Sequence, residues 1–136
     1  MVFLIGGSNH GKLDFARCVY KEMLEVGAEY SICEGVNVTL DLPTRIGVLN
    51  HLHIYIRRML EEGRENEIFP NLQRVIDNNP DVIFITDEIG YGIVPIDAFE
   101  RHYREVTGRI CCQIAKEADR MIRVVYGIGT VLKEKK

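Results

Sequence analysis

The sequence predicts a doubly wound α/β domain on a mainly parallel sheet, and three observations carry that prediction. An unbroken apolar run, Val2-Phe3-Leu4-Ile5, ends on two glycines and gives way to helical spacing at Phe15, Val19, Met23 and Leu24. A second run, Val82-Ile83-Phe84-Ile85-Thr86, ends in Asp87-Glu88 and a glycine-rich turn before another helical stretch. Strand and helix patterns then continue to alternate as far as Met121–Tyr126, which is the order that parallel crossovers require.

Composition sets the outer bounds. With 136 residues, 46% of them hydrophobic and 27% charged, the chain fits one globular domain over residues 1–136. A net charge of −3 gives no basic face for displacing counterions from nucleic acid, so no nucleic-acid partner is expected. Met1 to Ile5 is too short for a signal core or a membrane span, and a cytoplasmic protein is expected. Cys18, Cys33, Cys111 and Cys112 lack paired C-x-x-C spacing, so reduced, mostly buried thiols are expected rather than zinc or a disulfide frame.

Along the chain, Lys12 to Val26 reads as a helix closed by Gly27. Tyr30–Cys33 and Val36–Leu40 read as two short strands, the second ending in Asp41. Ile46, Leu49, Leu52, Ile56, Met59 and Leu60 then line one face of a long helix that Gly63 ends. Pro70 opens a shorter helix stopped before Pro80, and Pro95 with Asp97 begins a helix carrying Phe99, Val106, Ile110 and Ile114. Disorder is expected only in the lysine-rich tail, residues 133–136.

The chemistry concentrates in Gly6-Gly7-Ser8-Asn9-His10-Gly11-Lys12, which matches the G-x-x-x-x-G-K portion of a phosphate loop. Its glycines let backbone N–H groups close around phosphate oxygens, and Lys12 would reach the β and γ phosphates. Strand before and helix after supply the context such a loop needs; the bland alternative is a turn that merely joins them. The next position should hold a Ser or Thr hydroxyl for Mg²⁺, and here it is Leu13.

Other candidates lie where strands end, at the edge where an open parallel sheet keeps its ligands. Asp41 reads equally as a Mg²⁺ ligand or a helix cap, whereas of the adjacent Asp87 and Glu88 the second is the favoured metal and catalytic carboxylate. His51 and His53, two apart on a helix, point to different faces and make poor joint ligands. Arg101, His102, Arg104 and Arg109 either meet an anionic substrate or form a solvated helix face.

With the loop and Asp87-Glu88-Ile89-Gly90-Tyr91-Gly92-Ile93-Val94-Pro95 in place, the chain resembles the bifunctional adenosylcobinamide kinase and adenosylcobinamide-phosphate guanylyltransferase family. That family has Asn-Glu-Val-Gly-x-Gly-Ile-Val-Pro, and its later motifs find counterparts at Gly108-Arg109-Ile110-Cys111-Cys112 and Gly127-Ile128-Gly129-Thr130-Val131-Leu132-Lys133. The likeness covers residues 1–27 and most of 81–133. The family's strand ending Asp-Cys-Leu-Thr corresponds to Asp41-Leu42-Pro43-Thr44, or in a second register places Asn50 at the acid. No histidine lies between His10 and His51, so the family's guanylylated histidine has no counterpart here.

The resemblance implies a phosphate-loop NTPase-like (RecA-like) arrangement of the sheet and GTP or ATP as substrate. It implies Mg²⁺ held by Asp41 and Glu88, phosphoryl transfer to the adenosylcobinamide hydroxyl served by Lys12 and Glu88, and a homo-oligomer. The guanylyltransferase half is expected to be lost. The rival expectation is a non-catalytic nucleotide- or corrinoid-binding module.

Overall fold

The computed structural model describes residues 1–21, 31–40, 45–90 and 92–135. Within them the strands are β1 (Val2–Gly6), β2 (Ser31–Glu34), β3 (Ile46–Asn50), β4 (Ile83–Asp87), β5 (Arg120–Val125) and β6 (Ile128–Glu134). The helices are α1 (Lys12–Val19), α2 (Leu52–Glu61), α3 (Glu65–Asn78) and α4 (Ala98–Glu117). They build one six-stranded sheet in the order β2-β3-β4-β1-β5-β6, parallel throughout except for antiparallel β6. The doubly wound α/β arrangement expected from the alternating pattern is therefore present, with β1 flanked by β4 and β5.

Side chains alternate across each strand, and the two faces build two cores. Phe3, Leu49 and Phe84 point toward α2, α3 and α4, where Leu52, Ile56, Ile68, Leu72, Val106 and Ile114 meet them. Val2, Leu4, Val48, Ile83, Ile85, Ile122 and Val124 point the other way, toward Ala16 of α1. Both faces of the central strands are dry, which is why those runs lack alternation in sequence.

Several expectations are corrected. The apolar positions from Ile46 to Leu60 are not one helix: Ile46–Asn50 is a buried strand, and α2 starts only at Leu52. Spacing could not separate the two, since a fully buried strand and a buried helical turn are both continuously apolar. Val36–Leu40 is not a strand, although Val38 and Leu40 enter the core. Pro70 lies inside α3 rather than opening it, the lost backbone bond being offset by burial of Ile68, Leu72 and Val75. Lys133 and Glu134 of the tail belong to β6, and Lys133 Nζ donates to the Ala115 and Lys116 carbonyls at the end of α4. Tyr20 closes α1; the helix expected to run to Val26, and Tyr30, fall outside the described residues beyond Lys21.

Of the cysteines, Cys18 and Cys112 are exposed and only Cys33 and Cys111 are partly covered, all four being free. Burial pushes the Cys111 thiol up to about 12. Among the described residues no helix is long and apolar enough to cross a membrane.

The end of β1 is fixed by close approach. A Cβ on Gly6 would lie 2.3 Å from the Val124 carbonyl oxygen, a backbone atom of neighbouring β5 that cannot step aside. Gly6→Ala should therefore destabilise the fold by about 2 kcal/mol or more, read as a lower urea midpoint; an unchanged midpoint would show that β1 and β5 can separate there.

Candidate functional site

The loop after β1 reaches its shape through two left-handed residues, Asn9 (φ 59°) and Gly11 (φ 81°), and then enters α1. No side chain caps that helix, so its first N–H groups face outward beside the loop, an electropositive arrangement suited to an anion. A cleft of about 360 Å³ opens over it, lined by residues 8–14 together with Asn50, His51 and Asp87.

Lys12 is the charge at its centre. It is only 6% exposed, yet its ammonium donates to the Gly7 carbonyl at 2.6 Å and sits 2.8 Å from Asp87 Oδ1. Asp87 in turn is joined to His53 of α2: its backbone N–H donates to Nδ1 at 3.2 Å, and Oδ2 lies 3.4 Å from Nε2. The ring that accepts at Nδ1 is neutral with its proton on Nε2. Burial holds the His53 pKa below its usual value, although Asp87 pulls the other way.

Strand parity decides which predicted carboxylate serves the cleft. Ile83, Ile85 and Asp87 share the sheet face of α1 and the loop, whereas Glu88, one residue on, points to the other face. There Arg123 of β5 grips it at 2.7 and 3.0 Å. Glu88, favoured by the sequence reading, thus sits outside the cleft lining, and Asp87 takes its place. Asp41 lies outside the described residues. At the carboxyl end of β3 the residue beside the loop is Asn50, followed by His51-Leu52-His53.

The other candidates sort themselves by contact. Ser8 and Asn9 are exposed on the cleft rim. The His10 ring stacks on Tyr126 at 4.6 Å, and its Nδ1 is buried with no partner among the described residues. Leu13 packs onto the core on the α1 side. Arg101 and Arg104 bond the carbonyls of Ile93, Pro95 and Ile96, while His102 and Arg109 meet Glu65. This arginine helix, and the exposed Gly-Ile-Val-Pro turn it braces, lie apart from the cleft.

A group unmarked in sequence is Glu34, at the end of β2. Its Oε1 accepts from the Asn50 amide at 3.0 Å, and its Oε2 meets His51 Nδ1 at 2.7 Å. Burial alone would raise this carboxyl; the bonds from Asn50 and His51 and the nearby imidazole outweigh it and hold the pKa below the usual value. His51 is not on the helix but precedes it with φ 56°, and its ring stands edge-on to His53 at 5.7 Å. The two histidines therefore come together instead of pointing apart. Only a tertiary pairing across two strands reveals this, and no local spacing signals it.

Among the described residues, which do not include Asp41, no magnesium site is made. Leu13 supplies no oxygen, Glu88 is taken by Arg123, and Asp87 is already shared between Lys12 and His53. Among the described residues no three His, Cys, Asp or Glu side chains gather around a point that would hold a metal.

His53 also predicts a pH dependence. Its folded pKa is depressed, so the unfolded chain takes up its proton first and stability falls as pH drops below the ordinary value of 6.5. Urea midpoints between pH 7.5 and 5.5 should decline, and His53→Gln should flatten that slope; an equal slope in the variant would assign the effect elsewhere.

The family description cobinamide kinase / cobinamide phosphate guanyltransferase matches residues 28–132. The bifunctional adenosylcobalamin biosynthesis proteins CobU of Salmonella typhimurium and of Escherichia coli are each 42% identical to this chain over 52 residues, 38% of it. Those stretches cover 29% of each relative, well under half of its length. The glycine loop lies before the family match and rests on its own geometry. With most of the sheet, the Asn50–His53 corner and the Gly-Ile-Val-Pro turn inside the match, the chain belongs to the cobinamide kinase / cobinamide phosphate guanyltransferase family.

Proposed function

We propose that the chain is an adenosylcobinamide kinase-like protein of cobalamin biosynthesis that binds GTP or ATP through the glycine loop. It transfers the terminal phosphoryl group to a corrinoid side-chain hydroxyl. The observation that carries this reading is the buried Lys12 ammonium, held at the mouth of an uncapped helix beside a cleft. Placing a lysine there has a cost in desolvation that a mere connecting turn would not need.

The protein's part in such chemistry is positioning and charge neutralisation. Loop residues Gly6, Gly7, Ser8, Asn9, His10, Gly11, Lys12 and Leu13 supply backbone donors around the phosphates. Lys12 exchanges its bond to Asp87 for a phosphate oxygen, and Asp87 stays fixed by His53. The guanylyltransferase half is absent from this reading, because no histidine lies between His10 and His51. In this proposal residues 1–136 make one phosphate-loop domain that works in the cytoplasm. The exposed Ile93, Val94 and Ile96 favour a homo-oligomer, which sedimentation as a monomer at high protein concentration would rule out.

A second reading, a non-catalytic nucleotide- or corrinoid-binding module, is favoured by Leu13 and by Asn50 at the end of β3.

Calorimetric titration of GTP and ATP should give saturable binding that Lys12→Ala weakens at least tenfold; equal binding by the variant would sink the loop site. Because the described residues build no metal site, chelating Mg²⁺ should weaken binding less than about tenfold, whereas complete loss would reveal donors beyond them, Asp41 first. Phosphorylation of adenosylcobinamide by the unaltered protein would exclude the non-catalytic reading.

A further inference from the structure

The two histidines beside the cleft differ in one decisive respect. The Nδ1 lone pair of His53 is occupied by the Asp87 backbone N–H, and its other nitrogen faces the Asp87 carboxylate. His51 is the reverse. Its Nδ1 lies 2.7 Å from a Glu34 oxygen, so this nitrogen carries the proton and donates it. Nε2 is then left with its lone pair and no partner among the described residues, on a half-exposed ring that lines the cleft with Lys12.

This corner is built, not incidental. His51 adopts the left-handed conformation that non-glycine residues enter at a cost. Three contacts hold it there. Glu34 bonds both Asn50 and His51, and the Gly35 N–H donates to the Asn50 carbonyl at 2.8 Å. Gly35 itself lies so close that a Cβ would fall 2.1 Å from the His51 carbonyl oxygen. A carboxylate orienting one imidazole nitrogen while the other faces a ligand cleft is the geometry of a general base.

We propose that His51, oriented by Glu34, is the catalytic base that accepts the proton of the attacking hydroxyl. This rests on the phosphoryl-transfer reading above and names a residue for it. The acceptor oxygen forms a bond to the terminal phosphorus as the bond from that phosphorus to the nucleoside diphosphate oxygen breaks. The diphosphate keeps the bonding pair and its charge beside Lys12, and the hydroxyl proton passes to His51 Nε2 and then to water. Glu34 is a positioning residue: it orients the ring and fixes its tautomer. The charged and titratable groups facing His51 are Glu34 from β2, His53 on α2, and His10, Lys12, Asp14 and Asp87 across the cleft.

The test uses the full chain with GTP or ATP and adenosylcobinamide. His51→Gln should lower kcat by roughly 10²- to 10⁴-fold with nucleotide affinity changed less than about threefold, and should remove the acidic limb of the kcat–pH profile. Added imidazole should restore part of the rate to His51→Ala. Glu34→Gln should lower kcat with nucleotide affinity little changed, and nitrogen-15 spectra of the imidazoles should show His51 leaving the Nδ1–H tautomer. A His51→Gln enzyme that keeps its rate and pH profile overturns the base while leaving the kinase reading intact. An unaltered protein that binds nucleotide yet phosphorylates no hydroxyl acceptor overturns both.

Discussion

A buried ammonium must be answered by negative charge, and the arrangement around Lys12 follows from how this chain answers it. The carboxylate comes from Asp87, the last residue of the strand beside β1, so the loop lysine and the acid are brought together by strand pairing alone. Asp87 needs its own support because it carries that charge at a sheet edge only partly open to water. His53 provides it, and Tyr103 of α4 in turn holds the His53 carbonyl at 3.0 Å. A chain of contacts thus runs from the loop through β4 and α2 to α4, and each link is a hydrogen bond made by a group that would otherwise be buried unpaired.

The same accounting explains why this cleft departs from the family pattern. Where a strand-end acid would face the loop, Asn50 is neutral and directs its amide to Glu34. Where a hydroxyl would face the metal, Leu13 turns into the core. The partly buried negative charge of the cleft accordingly falls on Asp87, with Asp14 exposed at its rim and Glu34 one step back behind Asn50 and His51. A site assembled this way suits an anion, which backbone dipoles and one lysine could meet, and its described residues hold little in reserve for a cation.

Much of this was legible in the sequence and some of it could not be. Val2–Ile5 followed by glycines and Val82–Thr86 followed by carboxylates announce central strands, because residues buried on both faces need no polar partner. The glycine loop is legible for the same reason its residues are chosen: positive φ at Gly11 and close approach at Gly6. Ile46–Asn50 was hidden because a dry strand leading into a helix presents one continuous apolar series. Glu88 was preferred to Asp87 because adjacent carboxylates look alike until the parity of the strand is known. The Glu34–His51 pairing, seventeen positions apart, exists only through β2 lying beside β3.

The stacking of His10 on Tyr126, with the Gly127 N–H bonded to the His10 carbonyl at 2.8 Å, ties the glycine loop to the turn between β5 and β6. A free loop of this kind would have to surrender its conformational freedom at the moment an anion arrived, and affinity would fall by that amount. Here folding of the β5–β6 hairpin has already frozen it. On the proposed phosphate-binding reading, the hairpin at the sheet margin becomes part of the recognition apparatus: it sets how much of the intrinsic attraction between loop amides and phosphate survives as measured affinity.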